Sequence, residues 1–259
     1  LKAMPKELKQ TLESIPPKKP TKFGELLSLL GSFAVALSIA MVFRTFAFEP
    51  FHIPSGSMKS TLLIGDYIFV SKYSYGYSRY SFPFGPPIME GRILDTMPER
   101  GDIIVFKLPS DPSINYIKRL VGLPGDRIQV RSGILYINGR SVKREYVGLF
   151  LDRDSGSRIK QYRETLPNQV HYSVLDQYPN TRSDNTAEYV VPEGHVFFMG
   201  DNRDNSTDSR VIDKVGYVPI ENLVGKAEVL WFSNEHPLWQ FWHWFSPVHQ
   251  DRSARAQLS

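Results

Sequence analysis

The stretch LLSLLGSFAVALSIAMVF, residues 26–43, contains no charged side chain, and its only polar side chains are three serines. As an α-helix it is about 27 Å long, close to the roughly 30 Å hydrocarbon core of a bilayer. A buried helix of a soluble protein would normally show a polar face, which this run lacks. Glu25 and Arg44 flank it, and Arg44 can extend its side chain to the membrane interface. The run therefore predicts a single transmembrane helix over residues 26–43.

The charges on either side of this span predict its orientation. Six lysines precede the span within residues 1–22, whereas only Arg44 follows it closely. Because an excess of lysine marks the cytoplasmic side, we expect residues 1–25 to form a cytoplasmic tail and the chain from residue 44 to lie outside the cytoplasm. A cleaved signal peptide is the alternative, but no small-residue cleavage site follows the apolar run.

Composition excludes several classes of function. The 259 residues include no cysteine, which removes disulfides, thiolate zinc sites and cysteine nucleophiles. The formal net charge is +4 and the basic residues are scattered rather than clustered in a stripe. We therefore expect no nucleic-acid partner.

Beyond the span, short apolar runs replace helical periodicity, which predicts a mainly β fold. The pair Asn138-Gly139 within ILYINGRSV suits a type I′ hairpin turn. The predicted strands are residues 67–70, 103–106, 116–121, 128–130, 134–137, 196–199 and 224–232.

The domain organisation follows from a change of composition in the middle of this β-rich region. Residues 145–190 are polar and irregular, yet the run VHYSVL within them resembles a strand. We expect them to form a smaller β subdomain inserted into a main β domain built from 44–144 and 191–245. Residues 246–259 are then a C-terminal tail.

Ser57 is a candidate nucleophile because it lies in the short motif Pro54-Ser55-Gly56-Ser57-Met58. A serine between small residues in a turn can expose its hydroxyl, although Ser-Gly-Ser is also common in ordinary loops. A serine nucleophile needs a base. The six histidines of the chain are scattered, and none sits in a pattern that marks it as that base.

Lys118 is the alternative base. It lies inside the apolar run NYIKRLVGLPGD, and burial lowers the pKa of a lysine because it disfavours the charged form. A solvated pair of Lys118 and Arg119 at a strand edge is the other interpretation of this run.

A third polar segment, GDNRDNSTDSR at 200–210, directly follows the apolar run HVFFM. Asp204 and Asp208 could supply oxygens to a metal, but calcium loops need a different acidic spacing and the two arginines would oppose a cation. We therefore expect no metal and favour a network of Asp–Arg pairs that braces the loop. Its members are Asp201, Arg203, Asp208 and Arg210.

The motifs PSGSM, YIKRLVGLPGD and GDNRDNSTDSR, in this order after an N-terminal span, resemble those of the bacterial type I signal peptidases. The run GDIIVFKLP at 101–109 resembles another motif of the same family. The resemblance covers roughly residues 24–140 and 190–232. It implies a two-part β fold, in which the catalytic domain carries the inserted subdomain.

The resemblance also implies a role for each matching residue. Ser57 is the nucleophile and Lys118 its general base, a Ser–Lys variant of the serine protease triad. Ser206 orients the lysine, and Ser55 forms the oxyanion hole with the Ser57 backbone N–H. Asp208 and Arg210 hold the shape of the site.

The biological setting implied by the resemblance is the bacterial cytoplasmic (inner) membrane. The enzyme would be a single-pass protein with a cytoplasmic N-terminus and a periplasmic catalytic domain, and it would have lipid as a neighbour. Its substrates would be preproteins with cleavable signal peptides, cut after small residues. No metal or organic cofactor is needed for this chemistry.

Two other functions remain compatible with parts of the sequence. One is a membrane-anchored, non-catalytic binding module on a β scaffold, in which Ser57 and Lys118 would be replaceable. The other is a self-cleaving repressor-type protease, which also uses serine and lysine. That class needs an N-terminal DNA-binding module, where this chain has an apolar span.

A final prediction concerns residues 238–245, LWQFWHWF, which hold three of the four tryptophans, Trp239, Trp242 and Trp244. The run is too short to span a bilayer and is interrupted by Gln240. Tryptophan and phenylalanine favour the membrane interface. We therefore expect this segment to dip into the outer leaflet.

Overall fold

The apolar run forms one continuous helix, α1, at Lys22–Phe46. We describe residues 21–82, 85, 86 and 89–233 of a computed structural model, and only the backbone of 229–233. The helix extends past the predicted span at both ends. It is long and apolar enough to cross a membrane, and its most apolar window is not buried by protein. The predicted membrane contact at 238–245 and the predicted C-terminal tail lie outside the described residues.

Regular structure in the remainder of the described chain is mainly β, as the sequence predicts. Each predicted strand lies within an observed one. The strands are β1 Phe48–His52, β2 Asp66–Ser71, β3 Tyr77–Ser78, β4 Arg92–Ile93, β5 Ile103–Leu108, β6 Asp111–Gly122, β7 Arg127–Arg131, β8 Ile134–Ile137, β9 Arg140–Ser141, β10 Lys143–Leu151, β11 Arg158–Thr165, β12 His171–Leu175, β13 Tyr189–Val190, β14 His195–Met199, β15 Val218–Pro219 and β16 Leu223–Ser233.

A seven-stranded sheet is the main structural element, with the order β1-β2-β16-β5-β6-β14-β15. A three-stranded sheet, β10-β11-β12, and a four-stranded sheet, β13-β7-β8-β9, accompany it, together with the pair β3-β4. Asn138 and Gly139 connect β8 to β9 with φ angles of 53° and 78°, as a type I′ turn requires. The predicted hairpin is thus confirmed.

The central strand β5 is buried on both faces, and its sequence is therefore a nearly continuous apolar run. Ile103 and Val105 pack into a core cluster that also contains Met58. Ile104 and Phe106 point to the opposite face and join a second cluster. There the Phe106 ring stacks on another ring, that of Phe198, with centroids 4.4 Å apart.

The predicted insertion corresponds to its own small sheet. Strands β10, β11 and β12 pair in sequence order and are antiparallel, and the run VHYSVL contains β12. The chain divides into two compact units, Leu1–Phe43 and Arg44–Ser259. The limits 145–190 for the subdomain stay a prediction.

Candidate active site

Strand pairing brings two of the predicted motifs together. Lys118 lies on β6, which pairs with β14 so that Arg119 is opposite Met199. The polar segment 200–210 begins immediately after β14 and therefore lies beside Lys118. Ser57 is the central residue of a 3₁₀ turn, Gly56–Met58, that follows β1.

Ser57 and Lys118 form a buried hydrogen-bonded pair. Lys118 Nζ lies 2.7 Å from Ser57 Oγ and 2.9 Å from the carbonyl oxygen of Ile117. The two residues are 7% and 4% exposed, respectively. Lys118 is thus not part of a solvated pair at a strand edge, and its amine has the reach of a general base.

Burial lowers the pKa of Lys118 to about 8, even though the negative charges of Asp208 and Asp201 act to raise it. Loss of hydration destabilises the ammonium form more than these two carboxylates stabilise it. Near neutral to weakly alkaline pH a substantial fraction of Lys118 is therefore neutral. A neutral amine can accept the proton of the serine hydroxyl.

Ser55 lies beside Ser57 at the edge of a surface groove. Its Oγ is 3.3 Å from Ser57 Oγ, and the residue is exposed. A hydroxyl in this position can turn toward an oxyanion formed at the attacked carbonyl. The groove has a volume of about 340 Å³, and it is lined by residues 54–57, 114–118, Asn205 and Thr207.

Asn202 hydrogen-bonds to the 3₁₀ turn that carries Ser57, a contact that the sequence did not predict. Its backbone N–H donates to the carbonyl oxygen of Ser57 at 3.0 Å, and its side-chain Nδ2 donates to that of Gly56, also at 3.0 Å. Asn202 is 5% exposed. These bonds fix the backbone that carries the Ser57 hydroxyl, so Asn202 is a positioning residue.

Asp201 is paired with Arg119, the neighbour of Lys118. Arg119 Nε and Nη2 donate to the two carboxylate oxygens of Asp201 at 2.9 and 2.8 Å. Thr61 Oγ1 donates to the same carboxylate. This bidentate pair joins β6 to the segment after β14, and it fixes the strand position from which Lys118 extends.

The other three bracing residues, Arg203, Asp208 and Arg210, have different partners. Arg210 pairs with Asp208 through Nε at 2.8 Å and Nη2 at 2.9 Å. Burial by itself would raise the pKa of Asp208, but the Arg210 guanidinium holds it below its ordinary value. Arg203 binds Glu164 on β11, so the three-stranded sheet contributes to the brace. Nothing in the polar surroundings of Glu164 in the sequence indicates this role.

Ser206 lies in this region without the expected hydrogen bond. Its Oγ is buried and makes no hydrogen bond of good geometry to any described residue, although it lies close to the Asp208 carboxylate. The bond to Lys118 implied by the family resemblance is absent in this structure. A lysine-orienting role for Ser206 therefore stays a prediction.

A second contact joins the nucleophile region to the predicted insertion. Lys59, two residues after Ser57, is 4% exposed, and its Nζ lies 2.6 Å from Asp152 and 2.7 Å from Asp154. Burial acts to lower the pKa of Lys59, but these two carboxylates raise it above its ordinary value. Sequence reasoning missed this contact because the three residues are far apart in the chain.

The two carboxylates weighed from the sequence as metal ligands lie in different surroundings, and Asp204 groups with Asp176 and Asp184, their nearest carboxylate oxygens lying within 4.8 Å of one another. The carboxylate of Asp204 accepts hydrogen bonds from the backbone N–H groups of Gln177 and Tyr178, and that of Asp208 is taken by Arg210. The three described histidines make their contacts elsewhere: His52 packs on Tyr67, His171 bonds Thr165 and His195 bonds the Glu193 carbonyl.

The sequence is similar to those of known signal peptidases. Residues 26–232 match the family model of signal peptidases, peptidase S26. Signal peptidase I of Rickettsia typhi is 48% identical, and the match covers 80% of this chain and 81% of the relative. Its counterpart in Rickettsia conorii is 47% identical over 81% and 80%. A solved signal peptidase I from Enterococcus faecalis is 27% identical over 51% of this chain and 97% of that chain, with a TM-score of 0.31. The chain therefore belongs to the signal peptidase family, peptidase S26.

Proposed function

We propose that this membrane-anchored hydrolase removes signal peptides from exported preproteins, with Ser57 as nucleophile and Lys118 as general base. The observation that carries the assignment of these roles is the 2.7 Å contact between Ser57 Oγ and the buried Lys118 amine. A lysine with a pKa near 8 in contact with a serine hydroxyl is the arrangement that a Ser–Lys protease requires.

Proton transfers in the proposed reaction all pass through Lys118. The neutral amine takes the Ser57 proton while Oγ bonds to the scissile carbonyl carbon. The Ser55 hydroxyl and the Ser57 backbone N–H stabilise the resulting oxyanion. Lys118 then donates its proton to the leaving amine, and an acyl-enzyme forms. Water, deprotonated by Lys118, attacks the ester and releases Ser57.

Strand β6 offers an edge for the substrate. It pairs with β14 only at Arg119, Leu120 and Gly122, while residues 114–118 line the groove beside Ser57. An extended peptide can therefore add to this edge through backbone hydrogen bonds and place its scissile carbonyl at Ser57. Small residues before the cut would allow the peptide backbone to approach closely.

The proposed topology places the N-terminus in the cytoplasm and the unit Arg44–Ser259 on the periplasmic side of a bacterial inner membrane. The lysine excess before the helix supports this orientation. Signal peptides emerge on that side of the membrane, where the groove would meet them.

The decisive experiment uses the full chain in detergent with a preprotein that carries a cleavable signal peptide. The parent protein should shorten the preprotein, and Ser57→Ala should leave it uncut. Ser173→Ala on β12, which removes a hydroxyl outside the groove, is the matched control and should cleave as the parent does. Cleavage by Ser57→Ala at the parent's rate would refute the proposed nucleophile.

A further inference from the structure

A second cavity, of about 580 Å³, lies within the unit Arg44–Ser259 and is strongly cationic. A volume of this size is typical of small-ligand sites. Among the described residues that line it, only Glu49 carries a carboxylate. Four lining residues carry a positive charge: Arg44, Lys72, Arg79 and Lys107.

Two of these four cations are paired with the single carboxylate of Glu49. Its carboxylate binds Arg44 at 2.6 Å and Lys72 at 2.8 Å. Burial acts to raise the pKa of Glu49, but these two cations hold it below its ordinary value. Glu49 therefore stays ionised and fully engaged, and it is not a direct partner for the other two cations.

Arg79 and Lys107 are left without a counter-ion in the described part of the chain. Lys107 Nζ makes no hydrogen bond or ion pair there. Arg79 donates from Nη2 to the hydroxyl of Tyr80 at 2.6 Å, while its Nε is buried and has no acceptor. Both side chains are half-buried, so they line the cavity while remaining accessible to a ligand. An anion in the cavity would supply the counter-ion that the described residues do not.

The pKa of Lys107 reflects its partial burial in the cavity wall. Burial lowers this pKa, the negative charge of Glu49 opposes that effect, and the positive charge of Lys72 adds to it by a smaller amount. Binding of an anion would reverse this effect, because it would stabilise the ammonium form.

The position of Arg44 indicates where such an anion comes from. Arg44 lies in the last turn of α1, directly after the apolar run, and it also lines the cavity. The first charged residue after a membrane span lies at the level of the lipid phosphates. The aromatic rings of Phe51, Tyr80 and Phe82 line the same cavity and can contact the apolar part of a lipid.

We propose that this cavity binds the phosphate of an anionic membrane phospholipid, with Arg79 and Lys107 as its principal ligands. The guanidinium of arginine suits phosphate oxygens because it can donate two hydrogen bonds at once, and lysine adds a point charge.

The cavity adjoins the groove at Ser57. Both are lined by Asn115, which lies opposite Lys107 in the pairing of β5 with β6. Asn115 is three residues, about 10 Å, from Lys118 along the strand. A headgroup in the cavity would therefore set the height of the groove above the bilayer. Binding itself requires neither Ser57 nor Lys118, so it is separable from the proposed peptidase activity.

The test measures lipid binding by the full chain in a nonionic detergent. Dihexanoyl phosphatidylglycerol is titrated, and bound lipid is counted by native mass spectrometry. The double variant Arg79→Gln/Lys107→Gln should bind at least tenfold more weakly. The control Arg140→Gln/Lys214→Gln removes the same charge from exposed positions and should stay within twofold of the parent. Ser57→Ala should bind as the parent does.

Lys107→Gln alone covers the case in which the double variant does not fold, because the Lys107 ammonium makes no hydrogen bond or ion pair to any described residue. It should weaken binding at least threefold. Equal losses in the cavity and control variants would overturn the proposal, since the attraction would then be diffuse. The proposal would also be overturned if inorganic phosphate bound as tightly as the lipid. The same conclusion would follow if an acidic peptide bound more tightly and displaced the lipid.

Discussion

Lys118 Nζ lies 2.7 Å from Ser57 Oγ, although 61 residues separate the two in the chain. The two side chains come from different elements, a 3₁₀ turn after β1 and strand β6. A buried lysine normally destabilises the folded protein, because its charge is poorly solvated. Its position against a serine hydroxyl supports the proposed catalytic role of the pair.

We expect Lys118→Met to abolish cleavage, with at least about a thousandfold loss in kcat/KM, because no other described group can take the Ser57 proton. The double variant Ser57→Ala/Lys118→Met should be no slower than either single one, since the two residues act as a unit. Assays on a soluble peptide measure this. Lys143→Met, at an exposed lysine on β10, is the control. Retention of more than a few per cent of activity in Lys118→Met would contradict the assignment.

The rate should depend on pH with an acid limb near pH 8. Burial depresses the pKa of Lys118 to about 8, and only the neutral amine can act as base. Below that pH the neutral fraction falls tenfold for each unit, so kcat/KM should fall with a slope approaching one. Peptide cleavage measured from pH 6 to pH 9 checks this. A rate that is constant across the range, with chemistry rate-limiting, would exclude Lys118 as the base.

Asn202→Ala should lower kcat by about ten- to a hundredfold with little change in KM. The substitution removes the Nδ2 bond to the Gly56 carbonyl, and small displacements of a nucleophile cost about this much. Asn222 is a matched control, because its buried Nδ2 bonds the carbonyl of Lys107 at the same 3.0 Å. Both variants should lose about 1–3 kcal/mol of stability. Only Asn202→Ala should lose activity, and equal kinetics in the two would show that Asn202 is merely structural.

Gly200→Ala should disturb the site by crowding it. A Cβ at this position would lie 2.6 Å from both the Ser57 carbonyl oxygen and the Ser206 Cβ, far inside contact distance. Backbone or side chains must shift, at a cost of about 1–3 kcal/mol, and Ser57 would move with them. Thermal melting and peptide cleavage should both report the loss. Gly31→Ala, where a Cβ meets nothing within 4 Å, provides the comparison. Full activity in Gly200→Ala would show that the nucleophile turn tolerates this shift.

The sequence alone determined the elements whose signals are local. In a membrane, a long uncharged apolar run forms a helix because the helix satisfies all its backbone hydrogen bonds internally. Helix α1 could therefore be predicted from residues 26–43. A buried strand such as β5 is recognisable as a continuous apolar run. Asn138-Gly139 predicts a turn because both residues tolerate positive φ. Motif resemblance supplied Ser57 and Lys118 as candidates.

Only the tertiary structure decided which distant groups meet. The pairing of β6 with β14 brings Arg119 to Asp201, and no periodicity in the sequence encodes that register. Glu164 reaches Arg203 in the same way, from a polar segment without any local signal. The depressed pKa of Lys118 also belongs to the fold, because desolvation depends on what surrounds the amine and not on its neighbours in the chain. Residue types set the available chemistry, while packing sets distance and burial, and both are needed to make a lysine a base.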